Sequence, residues 1–168
     1  KEVMDWTLDL GIPFLTVYAL STENISSRDE GELDSLYDLY VTGFNEIVED
    51  PRIHAKKVRI RVAGRLELLP VRVREAITMA EERTSDYSDF TFTVCLAYGG
   101  REEIVDAVKG VASDHASGKL KLEQIDTNEI SNRLYDADAQ PPGPCTEGPP
   151  SCPCTEGSPV PCTEGSPS

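Results

Sequence analysis

An apolar run that breaks on two glycines and restarts as a helix constrains this chain more than any other feature. Residues 90–97 (Phe-Thr-Phe-Thr-Val-Cys-Leu-Ala) read as a buried strand. Tyr98-Gly99-Gly100-Arg101 closes it, and residues 101–108 (Arg-Glu-Glu-Ile-Val-Asp-Ala-Val) carry helical spacing. A strand, a glycine turn and a helix together suit an anion. Glycines let backbone N–H groups approach a phosphate closely, and a helix N-terminus adds partial positive charge. An ordinary tight strand-to-helix turn uses the same residues.

A second strand, residues 14–20, is almost wholly apolar, as expected of a strand covered on both faces, and stops at Ser21, Thr22, Glu23 and Asn24. Four hydrogen-bonding residues then stand at a carboxyl strand end, the edge where open α/β sheets bind ligands. Helix capping by Ser21 or Asn24 accounts for the same residues. Val58, Ile60 and Val62 alternate with Arg59 and Arg61, which gives a third strand with one polar face.

Helices fall between the strands. Val3 to Leu10 reads as a helix end stopped by Gly11. Leu33, Leu36, Tyr37, Tyr40, Val41, Phe44, Ile47 and Val48 recur at three- and four-residue intervals, one face of a helix over residues 30–50 that Pro51 ends. Pro70 opens another helix with Val73, Ile77 and Ala80 inward. Ile104, Val105, Val108, Val111 and Ala112 mark the buried face of the next. Asp126 and Glu129 form a capping box for a short helix through Leu134. The alternation predicts an α/β fold, a parallel sheet with helices on both faces.

Acidic residues outnumber basic ones by 30 to 16, a formal net charge of −14, which argues against nucleic acid as a partner. No apolar run approaches the roughly 20 residues that span a bilayer, and the start lacks the pattern of a signal peptide. A soluble, cytoplasmic chain is expected. His54 and His115 lie in polar contexts and are read as solvated. Cys95 sits in an apolar strand as a small buried hydrophobe. The other four cysteines (Cys145, Cys152, Cys154, Cys162) have neither a neighbouring His nor paired C-x-x-C spacing, so neither zinc nor a disulfide framework is read. They fall in residues 140–168, which hold nine of the twelve prolines and no Leu, Ile, Phe or Met, and repeat Cys-Thr-Glu-Gly three times. That composition cannot form a core, so 140–168 is expected to be a disordered tail beside an organised unit of 1–139.

Three segments, in order and spacing, resemble the cis-prenyltransferases, the undecaprenyl and polyprenyl diphosphate synthases: Tyr18-Ala-Leu-Ser-Thr-Glu-Asn24, Gly64-Arg-Leu-Glu-Leu-Leu-Pro70 and Tyr98-Gly-Gly-Arg101-Glu-Glu-Ile-Val-Asp-Ala107. The likeness covers residues 1–139 and stops there, so the tail is expected to be foreign to the family. The family's H-x-x-x-x-M-D-G-N-x-R and R-x-x-G-E-x-R-x-S-N-F motifs are not in this chain. A partial cis-prenyltransferase domain is therefore expected, inactive by itself.

The resemblance implies condensation of isopentenyl diphosphate with an allylic prenyl diphosphate, each new double bond cis, with pyrophosphate leaving. It implies Mg²⁺, with its ligands in the missing motifs, a homodimer, and a product that brings the protein to the membrane periphery. The Asp-rich D-D-x-x-D motif of trans-acting synthases is not found. By resemblance, Asn24 is the catalytic position; its amide is not a base, so it would orient a water or a diphosphate oxygen. Ser21, Thr22, Glu23, Arg28, Tyr98, Gly99, Gly100 and Arg101 are the implied substrate-binding positions. Ser21 would donate to a diphosphate oxygen, and Glu23 would orient donors. The family's aromatic residue after Asn and its Arg two places further on are here Ile25 and Ser27, with Arg28 one place late. Arg101 would either pair with phosphate or buttress the turn through a carboxylate. Two other readings fit the residues: a non-catalytic partner subunit of such a synthase, and an unrelated phosphate-binding α/β module.

Overall fold

The computed structural model describes residues 2–135. The expected boundary at 139, the tail and its four cysteines lie outside the described residues. Helix α1 (Glu2–Asp9) leads through Gly11 into β1 (Phe14–Tyr18). Then follow α2 (Thr22–Ser27), α3 (Glu30–Glu49), α4 (Pro51–Ala55), β2 (Val58–Ala63), a single 3₁₀ turn at Leu66–Leu68, α5 (Val71–Arg83), β3 (Phe90–Cys95), α6 (Gly100–Ala116), a second 3₁₀ turn at Leu122–Gln124 and α7 (Thr127–Ser131). The three strands form a parallel sheet in the order β1-β3-β2. Tyr18, Cys95 and Ala63 lie in one row, so all three strands stop at the same level.

Strand β3 is central because both its faces can be buried. Phe90 and Val94 on one side, and Thr93 and Cys95 on the other, are all inaccessible. Under the first side lies the main core. It is built from Leu33, Tyr37, Phe44 and Val48 of α3, Ile53 of α4, alternate residues of β2, and Val73, Ala76, Ile77 and Ala80 of α5. The α3 residues, and Val73, Ile77 and Ala80 of α5, are positions that the apolar pattern picks out; Ile53 and Ala76 are not. Pro51 ends α3 as expected, but it also occupies the first turn of α4, where the Asp50 side chain accepts from the Arg52 amide.

Two expectations fail. Strand β1 is not covered on both faces: Thr16 and Tyr18 are exposed, because β1 is an edge of the described sheet. Helix α6 does not bury the side marked by Ile104, Val105, Val108 and Ala112, all of which are exposed. Of the expected residues it buries Val111, together with Glu103 and Ala107. The cause is polar: Glu103 and Asp106 are drawn inward by partners described below. The histidines are also less free than expected. The His54 ring lies between the Tyr87 hydroxyl (2.8 Å) and the Val48 carbonyl (2.7 Å), and His115 meets the Leu120 carbonyl at 3.0 Å.

Gly64 ends β2 at φ +139°, and a Cβ there would collide with the backbone carbonyl of Leu96. Only glycine lets the chain turn this close to β3. Gly64→Ala should therefore lower unfolding stability by about 3 kcal/mol, from backbone strain plus a clash that cannot relax. Urea denaturation of the two proteins measures this; equal midpoints would contradict it.

Candidate functional site

The site lies where the three strands end. Past β1, the Ala19 and Leu20 amides both donate to the Cys95 carbonyl at 3.0 and 3.2 Å. The Tyr98 amide donates to Leu20 O (3.1 Å), and the Thr22 amide donates to Tyr98 O (3.2 Å), so Ser21 and Tyr98 form one more parallel bridge beyond the sheet. The same Tyr98 carbonyl accepts from the Tyr18 hydroxyl at 3.0 Å. Thr22 and Glu102 crowd Gly99: a Cβ there would stand 2.9 Å from Thr22 Oγ1 and overlap the Glu102 carboxylate. Ser21, Thr22, Tyr98, Gly99 and Gly100 are thus brought together as the motif spacing implied.

Ser21 has the capping role that its residue type allowed. It is the N-cap of α2, its Oγ accepting from the Asn24 amide at 2.9 Å, and its hydroxyl proton is left to donate elsewhere. Asn24 and Ser21 are partly buried; the Asn24 carboxamide makes no hydrogen bond among the described residues. Glu23 is exposed in the first turn of α2. Arg28 closes α2 and its guanidinium is paired with Glu32 on α3.

Helix α6 begins at Gly100 with no side-chain cap, and its first internal bond runs from Glu103 N–H to Gly99 O at 2.9 Å. The amides of Gly100, Arg101 and Glu102 therefore lack acceptors within the helix and carry its partial positive charge. Arg101 is exposed and forms no ion pair among the described residues, so the expected alternative of a carboxylate buttress has no partner there. Free amides, a free guanidinium and two hydroxyls at one strand edge can take up an anion with several oxygens.

A polar network stands behind this turn. Glu103 is buried; its Oε2 accepts from the Tyr98 hydroxyl (2.7 Å) and its Oε1 from the Tyr135 amide (2.9 Å). Arg65 grips Asp106 with two bonds of 2.8 Å, Nε to Oδ2 and Nη2 to Oδ1. The Tyr135 hydroxyl donates to Asp106 Oδ2 at 2.5 Å and accepts from Arg65 Nε at 3.3 Å. Rings of Tyr18 and Tyr135 meet the Tyr98 ring edge-on, with centroids 5.8 and 6.2 Å away. Ala97, just before Tyr98, has φ +50°, a left-handed conformation that costs an L-residue about 1 kcal/mol. Residue type alone gave no role to Arg65, Glu103, Asp106 or Tyr135. The one available signal was the pair of acids at Glu103 and Asp106, which interrupts the apolar pattern of α6.

These bonds shift the acidities. The hydrogen bonds from Arg65 and then Tyr135 hold the Asp106 carboxyl down to about 2. Tyr98 is raised by its bond to Glu103 and by burial. Burial, then the bond to Asp106, pushes Tyr135 up to about 12.

The fold agrees with solved structures of similar chains. A solved plant enzyme, lavandulyl diphosphate synthase from Lavandula x intermedia in complex with dimethylallyl diphosphate, superimposes with a TM-score of 0.74 at 28% identity, over 79% of this chain and 56% of that one. A family model described as "Putative undecaprenyl diphosphate synthase" matches residues 1–143. The chain belongs to the cis-prenyltransferase family. Among curated members, the tritrans,polycis-undecaprenyl-diphosphate synthase (geranylgeranyl-diphosphate specific) of Pyrococcus horikoshii is 49% identical over 135 residues, 80% of this chain and 51% of that protein. The protein of the same name from Methanopyrus kandleri is 46% identical over 142 residues, 84% of this chain and 52% of that protein. The chain thus spans about half the length of the curated relatives it matches.

No group of three or more His, Cys, Asp or Glu side chains converges as a metal site among the described residues. Glu102 stands alone against Gly99, and behind it Glu103 and Asp106 have their oxygens taken by Tyr98, Tyr135 and Arg65. The described residues thus offer no ligand set for Mg²⁺, whose ligands the resemblance assigns to motifs not in this chain.

The acidity of Asp106 gives a signed prediction. Its folded value lies below its usual 3.8, so the ion pair adds stability above pH 3.8 that is lost as pH falls toward about 2. Between those limits the melting temperature of the natural protein should fall more steeply than that of Asp106→Asn. Thermal melts at a series of pH values test this, and parallel curves would refute it.

Proposed function

We propose that the whole protein carries out cis-prenyl chain elongation. The allylic C–O bond of a prenyl diphosphate breaks and pyrophosphate leaves with its electron pair. A new C–C bond forms from the double bond of isopentenyl diphosphate, and a proton lost from the new skeleton restores a double bond, in the cis geometry. Geranylgeranyl diphosphate is the primer that the relatives' names point to.

One observation supports the reading most: the uncapped start of α6, with Arg101 unpaired among the described residues, follows a turn that is bridged to Ser21 and touched by the Thr22 hydroxyl at the joined ends of β1 and β3. On this reading the Gly100–Glu102 amides and Arg101 hold a diphosphate, Ser21 donates to one of its oxygens, and Thr22 keeps Gly99 in place. Glu23 contributes by orienting donors. Asn24, whose carboxamide has no protein partner among the described residues, orients the group that takes the proton. Arg28, held by Glu32, would need to leave that partner to reach substrate.

The same reading extends to a homodimer and to a cytoplasmic protein that meets the membrane through its product. No helix among the described residues is long and apolar enough to cross a membrane.

Two measurements test the proposal. Calorimetric titration with isopentenyl diphosphate should show binding, weakened about tenfold or more in Arg101→Ala, the loss expected for one charge-assisted hydrogen bond. Equal affinities would remove Arg101 from the site. In the whole protein, Asn24→Ala should lower kcat well beyond any rise in KM, because its contact is made mainly in the transition state. A raised KM with unchanged kcat would make Asn24 a binding residue only.

A further inference from the structure

The polar network behind the glycine turn closes on itself. From the carbonyl of Ala97 it passes to the Arg65 amide (3.1 Å), and from the Arg65 guanidinium to Asp106. Asp106 leads to the Tyr135 hydroxyl, the Tyr135 amide to Glu103, and Glu103 to the hydroxyl of Tyr98, the next residue after Ala97. The circuit draws on the end of β2, two successive inward positions of α6 and the chain beyond α7. Its two ends are the carbonyl of a left-handed alanine and the side chain that follows it. Ala97 is wholly buried, and Gly64 leaves room for the Arg65 amide to reach its carbonyl.

A non-glycine residue stays left-handed only where its surroundings over-determine it. Here the surroundings are this circuit. We propose that Asp106 is a positioning residue of the site: by joining Arg65 to Tyr135 it closes the circuit that keeps Ala97 left-handed, and so aims Tyr98 and the two glycines at the ends of β1. Asp106 touches no substrate. Its consequence for diphosphate binding rests on the function proposed above; its hold on the turn does not.

The geometry dictates the test. Amide exchange at Tyr98 and Thr22 reads the two bonds that join the turn to β1, and titration with inorganic pyrophosphate reads the anion site. In Asp106→Ala, exchange at these two amides should quicken about tenfold and pyrophosphate affinity should fall by a similar factor, as the released strain is of that size. Glycine adopts the left-handed conformation without penalty, so adding Ala97→Gly should bring both values back to within about threefold of the natural protein. Tyr135→Phe, which keeps the ring and removes one link, should shift both the same way by a smaller factor, and serves if Asp106→Ala does not fold. Unchanged exchange at Tyr98 and Thr22 in both variants would overturn the proposal. So would no recovery with Ala97→Gly, or an equal loss of protection at Ile60 in β2, which would mark a merely general loss of stability. Should the natural protein fail to bind pyrophosphate while the exchange pattern follows expectation, the positioning role stands and the diphosphate reading falls.

Discussion

The main chain of Tyr98 is the joint on which the site depends. Its amide and carbonyl reach across to Leu20 and Thr22, extending the pairing of β1 and β3 past the point where both strands have stopped. Without those two bonds, Ser21 to Asn24 would hang from an exposed edge strand and the glycine turn would belong to β3 alone. With them, segment 21–24 and the start of α6 stand at the same edge of the sheet. Orientation here comes from backbone pairing, backed by the side-chain circuit through Asp106.

Helix α6 shows how far such polar demands reach. Burying Ile104, Val105 and Val108 would gain apolar contact worth about 2 kcal/mol for each side chain fully covered. The described residues leave them exposed. Turning the helix to bury them would strip Glu103 of its two donors and part Asp106 from Arg65, leaving hydrogen-bonding groups without partners inside the protein. Such losses oppose that turn, because an unsatisfied buried group carries its whole desolvation cost. The position of Glu103 in the first turn of α6 further favours its charge, since it lies at the positive end of the helix.

This explains why the fold was largely legible in the residues and the site only in part. Strand β3 and helices α3 and α5 announce themselves through continuous apolar runs or three- and four-residue spacing, which are local signals. Helices α2 and α4 are too short to show a period; their starts are set by the caps Ser21 and Asp50. On α6 the apolar spacing misled, because the partners that turn the helix are distant in sequence: Arg65 is 41 residues before Asp106, and Tyr135 is 29 residues after it. Motif likeness placed Ser21, Thr22, Tyr98 and Gly99 together, as the structure does. It gave no hint of Tyr135, whose role exists only once the chain beyond α7 has come back to the sheet.

The level ending of the strands has a consequence for how such a site changes over generations. Tyr18, Cys95 and Ala63 stand in one row, so each loop leaves the sheet from the same fixed platform. Lengthening the segment between Gly64 and Pro70 would reshape the grip on Asp106 and, through the circuit, the aim of Tyr98. Altering residues 23–28, which make no bond to the turn, would leave the start of α6 where it is. Residues that make no bond to the turn can drift while the platform holds the rest, whereas segment 64–70 and the glycine turn must change together, which lets one scaffold acquire new preferences without losing the joint.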